Sequence, residues 1–112
     1  MIPTLAYQPV MRLSITANAD IPAFKFVDFN GNLCINTSKS LGVSDFAALS
    51  GDLTSIITIG TAILQTSEAI ARGATVASDA TGNAKNWVTG DEVQGIAVTA
   101  SEGNYVVVLL KH

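Results

Sequence analysis

The sequence has one cysteine, one histidine and few charges, and each scarcity excludes something. Cys34 has no second cysteine to pair with, so no intramolecular disulfide can form. A zinc site needs several sulfur, imidazole or carboxylate ligands together. One Cys and one His at distant positions cannot supply them. A nucleophilic thiol or a Ser-His-Asp triad needs a base, and the only imidazole is His112 at the end of the sequence. Neither Gly-x-Gly-x-x-Gly nor the phosphate-loop pattern occurs. The six basic residues, Arg12, Lys25, Lys39, Arg72, Lys85 and Lys111, are scattered and form no stripe, which disfavours nucleic acid as a partner. No run reaches the roughly 18 apolar residues of a membrane span, so no membrane partner is expected. Arg12 follows an apolar start where a signal peptide would put its basic region first. The expectation is therefore a chain folded in the cytoplasm where it is made.

What is abundant is apolar and small. The chain has 112 residues, 48% hydrophobic and 13% charged, with a net charge of −3. An average globular protein has about 25% charged residues. The length predicts one domain able to build a core without staples. With so few charges, the surface must consist largely of Ala, Thr, Ser, Asn and Gly. Such a surface suits a protein partly covered by partners, the alternative being a bland monomer.

The order of elements repeats. Ala19–Asn32 (ADIPAFKFVDFNGN) and Ala69–Asn83 (AIARGATVASDATGN) both start at Ala, pass a short apolar alternation and an Asp, and end in Gly-Asn. Leu41-Gly42-Val43 leads to Ser50-Gly51-Asp52 and an apolar run. Gln94-Gly95-Ile96 leads to Glu102-Gly103-Asn104 and another. The offset stays near fifty residues. Two pseudo-repeated halves are expected, about 15–60 and 64–110, each a small β-unit closing on the other.

Strand signals dominate. Met11–Ala17 alternates with the period of a half-buried strand. Phe24 and Phe26 share one face, opposite Lys25 and Val27. Asn30-Gly31 predicts a tight turn before a strand over Asn32–Asn36, and Thr81-Gly82-Asn83 repeats that turn. Leu41–Val43 reads as a short strand, and Ser44–Leu49 as a turn or one helical turn capped by Ser44. Leu53–Leu64 suits a buried strand, or a hairpin broken at Gly60. Thr66–Gly73 is too short for a stable helix and reads as a connector presenting Ile70 to the core. Tyr105–Leu110 reads as a central strand. The fold expected is all-β, a compact β-barrel or β-sandwich spanning 11–112. Its core would hold Leu13, Ile15, Phe26 or Val27, Ile35, Val43, Ile57, Ile59, Val76, Ile96, Val106 and Val108. Residues 1–10 carry Pro3 and Pro9 and read as an extended N-terminal arm anchored by Tyr7.

No catalytic, cofactor-binding or metal-binding residue emerges. Cys34 lies in the apolar run Leu33-Cys34-Ile35 and reads as a buried small hydrophobe. Asp28, Asp45, Asp52, Asp79, Asp91 and Glu92 lie beside or near Gly, Ser or Thr, where carboxylates form turns. An acid–base pair at Asp91 and Glu92 lacks an apolar pocket to shift either pKa. Candidate partner-interface residues are Tyr7, Pro9, Arg12 and Trp87. A carbohydrate- or ligand-binding β-module is the competing class, with Trp87 and Tyr105 as possible platforms.

The run Glu68–Ala84, EAIARGATVASDATGNA, followed by Gly90-Asp91-Glu92-Val93-Gln94-Gly95-Ile96-Ala97 and the apolar strand Val106–Leu110, resembles small tailed-bacteriophage capsid cement, or head decoration, proteins. The likeness spans about Ile15 to Leu110. The segment bearing Tyr7, Pro9 and Arg12 and the aromatic-rich Phe24–Phe29 depart from the pattern. The resemblance implies a protein on the outer capsid surface of the virion, at junctions between major capsid subunits. It implies the major capsid protein as partner and a homo-oligomer, a trimer favoured over a dimer.

Overall fold

The computed structural model describes residues 9–110. It has eight strands and, among the described residues, no helix: β1 (Pro9–Thr16), β2 (Lys25–Asp28), β3 (Ser40–Ser44), β4 (Leu53–Gln65), β5 (Thr75–Ser78), β6 (Ala84–Asn86), β7 (Gly95–Ala97) and β8 (Tyr105–Leu110). All paired strands are antiparallel, in the order β2-β3-β4-β8-β7-β5-β6, with β1 added on β4. The sheet curls into a nearly closed barrel. A backbone bond reaches across the remaining gap, from Phe26 N–H on β2 to Gly82 O in the β5–β6 turn (2.8 Å).

Strands pair in a similar way in the two halves of the chain. In the first half β4 is flanked by β1 and β3. In the second half β8 is flanked by the far end of β4 and by β7. Strand β4 therefore ends one unit and begins the next, changing partner between Gly60, opposite Pro9, and Thr61, opposite Leu109. Corresponding bonds hold the ends: Ala17 N–H to Asp52 O (2.8 Å) and Thr66 N–H to Asn104 O (2.9 Å). Gly60, at φ 105°, lets one thirteen-residue strand serve both units where a broken hairpin was expected.

Gly42 and Gly95 occupy equivalent places against the neighbouring strand. A Cβ on Gly42 would fall on the Ile57 carbonyl and 2.8 Å from Ile56 Cγ2. One on Gly95 would fall on the Leu109 carbonyl and 2.6 Å from Val108 Cγ1. Only glycine allows the strands to approach so closely.

The larger core cluster includes Phe26, Val43, Ile57, Leu64, Val76, Val106 and Val108, together with Cys34, and draws on both units. A smaller one holds Ala17, Ile21, Val27 and Ile56, with Ile15 packed against it. Phe26 and Val27 are both fully buried although they point to opposite faces, because β2 lies between the two clusters. Ile70 is buried, as its connector required.

Four expected core residues are instead exposed: Leu13 (39%), Ile35 (44%), Ile59 (49%) and Ile96 (36%). Ile96 sits between buried Gly95 and Ala97 and pairs with exposed Leu109, so it lies on the outer face of the barrel. Leu13 and Ile59 lie where β1 runs along β4, with no second layer above them among the described residues. Alternation predicts which residues share a face, but it does not say that the face is covered. Two local expectations also change. Asn32–Asn36 forms only a single bridge, Leu33 to Val27, and Ser44–Leu49 contains no helical turn. The expected arm, 1–10, falls outside the described residues except for Pro9 and Val10, which open β1.

Candidate functional site

Three surface features stand out. The first is an apolar groove of about 320 Å³ between β1, β4 and the β2–β3 region, lined chiefly by Met11, Leu13, Phe29, Leu41 and Ile59 with Lys39. Phe29 is 63% exposed, and Val10 on β1 and Leu53 on β4 are also exposed. Uncovered side chains of this size and contiguity are uncommon on a soluble monomer and mark a contact surface.

Arg12 lies on this strand and forms an ion pair with Asp45, on the segment after β3. The pair fixes the middle of β1 across β4, so Arg12 tethers the strand that carries the groove. Pro9 starts β1 opposite Gly60, a strand-end position where its missing N–H costs least. Tyr7 lies outside the described residues.

The second feature is the loop after β6. Trp87 is 39% exposed, and its Nε1–H donates to Asp91 O at 2.7 Å. Asp91 organises the loop. Its Oδ2 accepts Lys85 Nζ (2.8 Å) and Val88 N–H (3.1 Å), and its Oδ1 accepts Asn36 Nδ2 (3.2 Å) from the other unit. The bond from Lys85, then that from Val88, hold the Asp91 carboxyl below its usual pKa. Asp91 is thus a tied structural carboxylate, not a turn tip left to water. Trp87 is presented beside exposed Val88 and Val93. Arg12 lies on β1 and Trp87 in the loop that follows β6.

The third feature is a polar cleft of about 380 Å³ where the units meet, lined by Gln65, Thr66, Ser67, Asn83, Asn104 and Tyr105. Behind it the Phe24 and Tyr105 rings pack edge to face, with centroids 5.6 Å apart. Phe24 adopts φ 65°, which costs a non-glycine residue about 1–2 kcal/mol. Its N–H donates to Ser44 O (2.7 Å) just as that of Gly73, at φ 83°, donates to Ala97 O (2.8 Å). One unit uses glycine where the backbone requires it, and the other places an aromatic ring there. Neither the groove nor this cleft was legible in the sequence, because each is assembled from distant segments.

Nothing in the described residues assembles catalytic chemistry. No group of three or more His, Cys, Asp or Glu there could hold a metal ion. Burial pushes the Cys34 thiol up to about 11, against a lesser opposing effect of a hydrogen bond with Ser78. Its Sγ lies 3.2 Å from the Ser38 carbonyl and 3.3 Å from that of Ile35.

Comparison with known proteins gives the family. The family of phage cement proteins matches residues 6–112, nearly the whole chain. The chain belongs to the phage cement protein family, and its role is that of a capsid-associated structural protein. No curated protein matches it. Among solved structures it is similar to the N base of head fiber gp8.5 of bacteriophage phi29. The TM-score is 0.74 at 16% identity, covering 90% of this chain and 93% of that one. At that identity the likeness concerns the fold.

Proposed function

We propose that this protein decorates the outer surface of an expanded phage head, at junctions between major capsid subunits, and stabilises the shell. The observation that carries this reading is the uncovered apolar groove of Met11, Leu13, Phe29, Leu41 and Ile59 on a member of the cement family. Burying such a surface at every copy of a symmetric lattice gives strength through many modest contacts. Low charge keeps the desolvation cost of each contact small. The chain acts as a homo-oligomer, a trimer favoured over a dimer, since capsid junctions offer three-fold sites. The N-terminal arm, 1–10, contacts a neighbouring chain, with Tyr7 as anchor. Trp87 supplies a second contact. The role is mechanical, with no catalysis and no cofactor.

The test is binding to empty expanded capsids. Leu13→Asp and Ile59→Asp, both at exposed positions, should leave the domain folded and reduce occupancy sharply. Removing residues 1–8 should weaken binding with β1 intact. Heads lacking the protein should be complete but burst more easily on heating or chelation. Equal robustness with and without the protein would remove the stabilising role.

A further inference from the structure

We propose that the polar cleft at the seam between the two units is a binding site for neutral saccharides, separate from the capsid-facing surface. Its lining is the chemistry that sugars require. Gln65, Asn83 and Asn104 supply amides that both donate and accept, Ser67 a hydroxyl, and Tyr105 a phenol on an aromatic ring. Vicinal sugar hydroxyls match amide groups in reach and polarity, and the C–H face of a pyranose matches an aromatic ring.

The groups are available. Among the described residues, the side chains of Gln65, Ser67, Asn104 and Tyr105 make no hydrogen bond, and all four line one cleft. Asn83 is positioned by its Oδ1, which accepts from Lys25 Nζ, and its amide nitrogen makes only a 3.5 Å contact with Thr81 Oγ1. Elsewhere on this protein loop side chains are tied down, as at Asp28, Asp79 and Asp91. Here the side chains of Gln65, Ser67, Asn104 and Tyr105 line one cleft without such bonds among the described residues.

The aromatic wall is held in place at a conformational cost. Phe24 keeps a left-handed backbone where its counterpart is Gly73, and its ring packs edge to face on Tyr105. Its carbonyl accepts Gln65 N–H at 2.9 Å, so the same residue also fixes the backbone of a cleft residue.

Charge sets the class of sugar. A smaller hollow shares Ser67 and Asn104 with the cleft and is lined by Glu68 and Glu102. Lys25, whose Nζ donates to Asn83 of the cleft, is engaged in that bond. Sialylated or uronic saccharides would meet two carboxylates, whereas neutral hexoses and N-acetylhexosamines would not.

Position makes the site compatible with decoration. Gln65 lies six residues along β4 from Ile59 of the apolar groove, roughly 20 Å at the rise of an extended strand. A copy seated through its groove leaves the cleft open. A shallow single site binds a monosaccharide weakly, and a shell presenting many copies makes up the difference by avidity.

The experiment uses the full chain. Titration with glucose, galactose and N-acetylglucosamine up to about 50 mM, followed by amide NMR, should shift Gln65, Ser67, Asn83, Asn104 and Tyr105, with millimolar affinity. On a glycan array, neutral termini should exceed sialylated ones. The double variant Gln65→Ala, Asn104→Gly removes two amides and keeps the positive φ that Asn104 adopts (68°). It should weaken binding at least tenfold with unchanged melting temperature. Tyr105→Phe, which keeps the ring, should weaken it as well and serves if the double variant does not fold. Absence of cleft shifts with all three sugars would overturn the proposal, as would equal affinity in a folded variant. Loss of capsid binding in these variants, without any sugar response, would reassign the cleft to a protein contact.

Discussion

Asp28 and Asp79, fifty-one positions apart in the sequence, hold the same turn. Asp28 Oδ1 accepts Asn30 N–H (2.9 Å) and Asn32 N–H (3.0 Å), and Asp79 Oδ1 accepts Thr81 N–H (2.8 Å) and Asn83 N–H (3.0 Å). Each turn is closed by a return bond of 2.9 Å, from Asp28 N–H to Asn32 O and from Asp79 N–H to Asn83 O. Asp28→Ala and Asp79→Ala should each cost about 0.5–2 kcal/mol, seen as similar decreases in the urea midpoint. Unequal losses would show that the two turns do not carry equivalent roles.

Gly42→Ala and Gly95→Ala should be more damaging than either turn substitution. Each new methyl group meets a backbone carbonyl of the next strand, which cannot yield as a flexible side chain can. About 3 kcal/mol or more is expected, measured by thermal or chemical unfolding. Gly73→Ala is the contrast, since nothing lies within 4 Å of a Cβ there and only its φ of 83° resists. It should be the mildest of the three.

Val106→Asp should unfold the domain. Val106 is fully buried on β8, between β4 and β7, with no cation beside it in the core cluster. Circular dichroism retaining the wild-type spectrum and melting temperature would contradict the packing described.

Cys34 should be inert to thiol reagents in the folded protein and should make stability fall in alkali. Its folded pKa is about 11 against an ordinary 9.0, so the folded state keeps the proton after the unfolded state has lost it. The unfolded state then binds fewer protons, and unfolding free energy decreases as pH rises from about 9 to about 11. At roughly 1.4 kcal/mol for each pH unit, up to about 2.7 kcal/mol is lost across that window. Cys34→Ala should flatten this part of the profile. An unchanged slope would place its origin elsewhere.

Asp91 gives the opposite sign in acid. Its folded pKa is lowered, so its contribution is present above the ordinary carboxylate value and is lost as pH falls through the folded one. Trp87, the only tryptophan, donates to the Asp91 carbonyl and reports on the loop. Its fluorescence should change with a midpoint below the ordinary value of 3.8. Asp91→Asn should abolish that acid transition, and its persistence would exclude Asp91 as the titrating group.

Local chemistry determined a large share of this protein. The all-β class, the Asn30-Gly31 and Thr81-Gly82-Asn83 turns and the strand at Tyr105–Leu110 follow from residue type and spacing. Turn formation and strand period are interactions among near neighbours. The absence of a second Cys and of a usable His likewise limited the chemistry before any fold was known. Only tertiary structure decided what covers each face. Leu13 and Ile59 alternate as core residues do, yet β1 and β4 carry them to a side that no other described residues face as a layer, where they form a groove. Ile96 lies on the outside because its β7 neighbours Gly95 and Ala97 take the inside. The cleft joins Gln65, Asn83 and Asn104 only because the barrel brings three chain segments to one seam. Burial and convergence depend on partners distant in sequence, and periodicity along one strand carries no record of them.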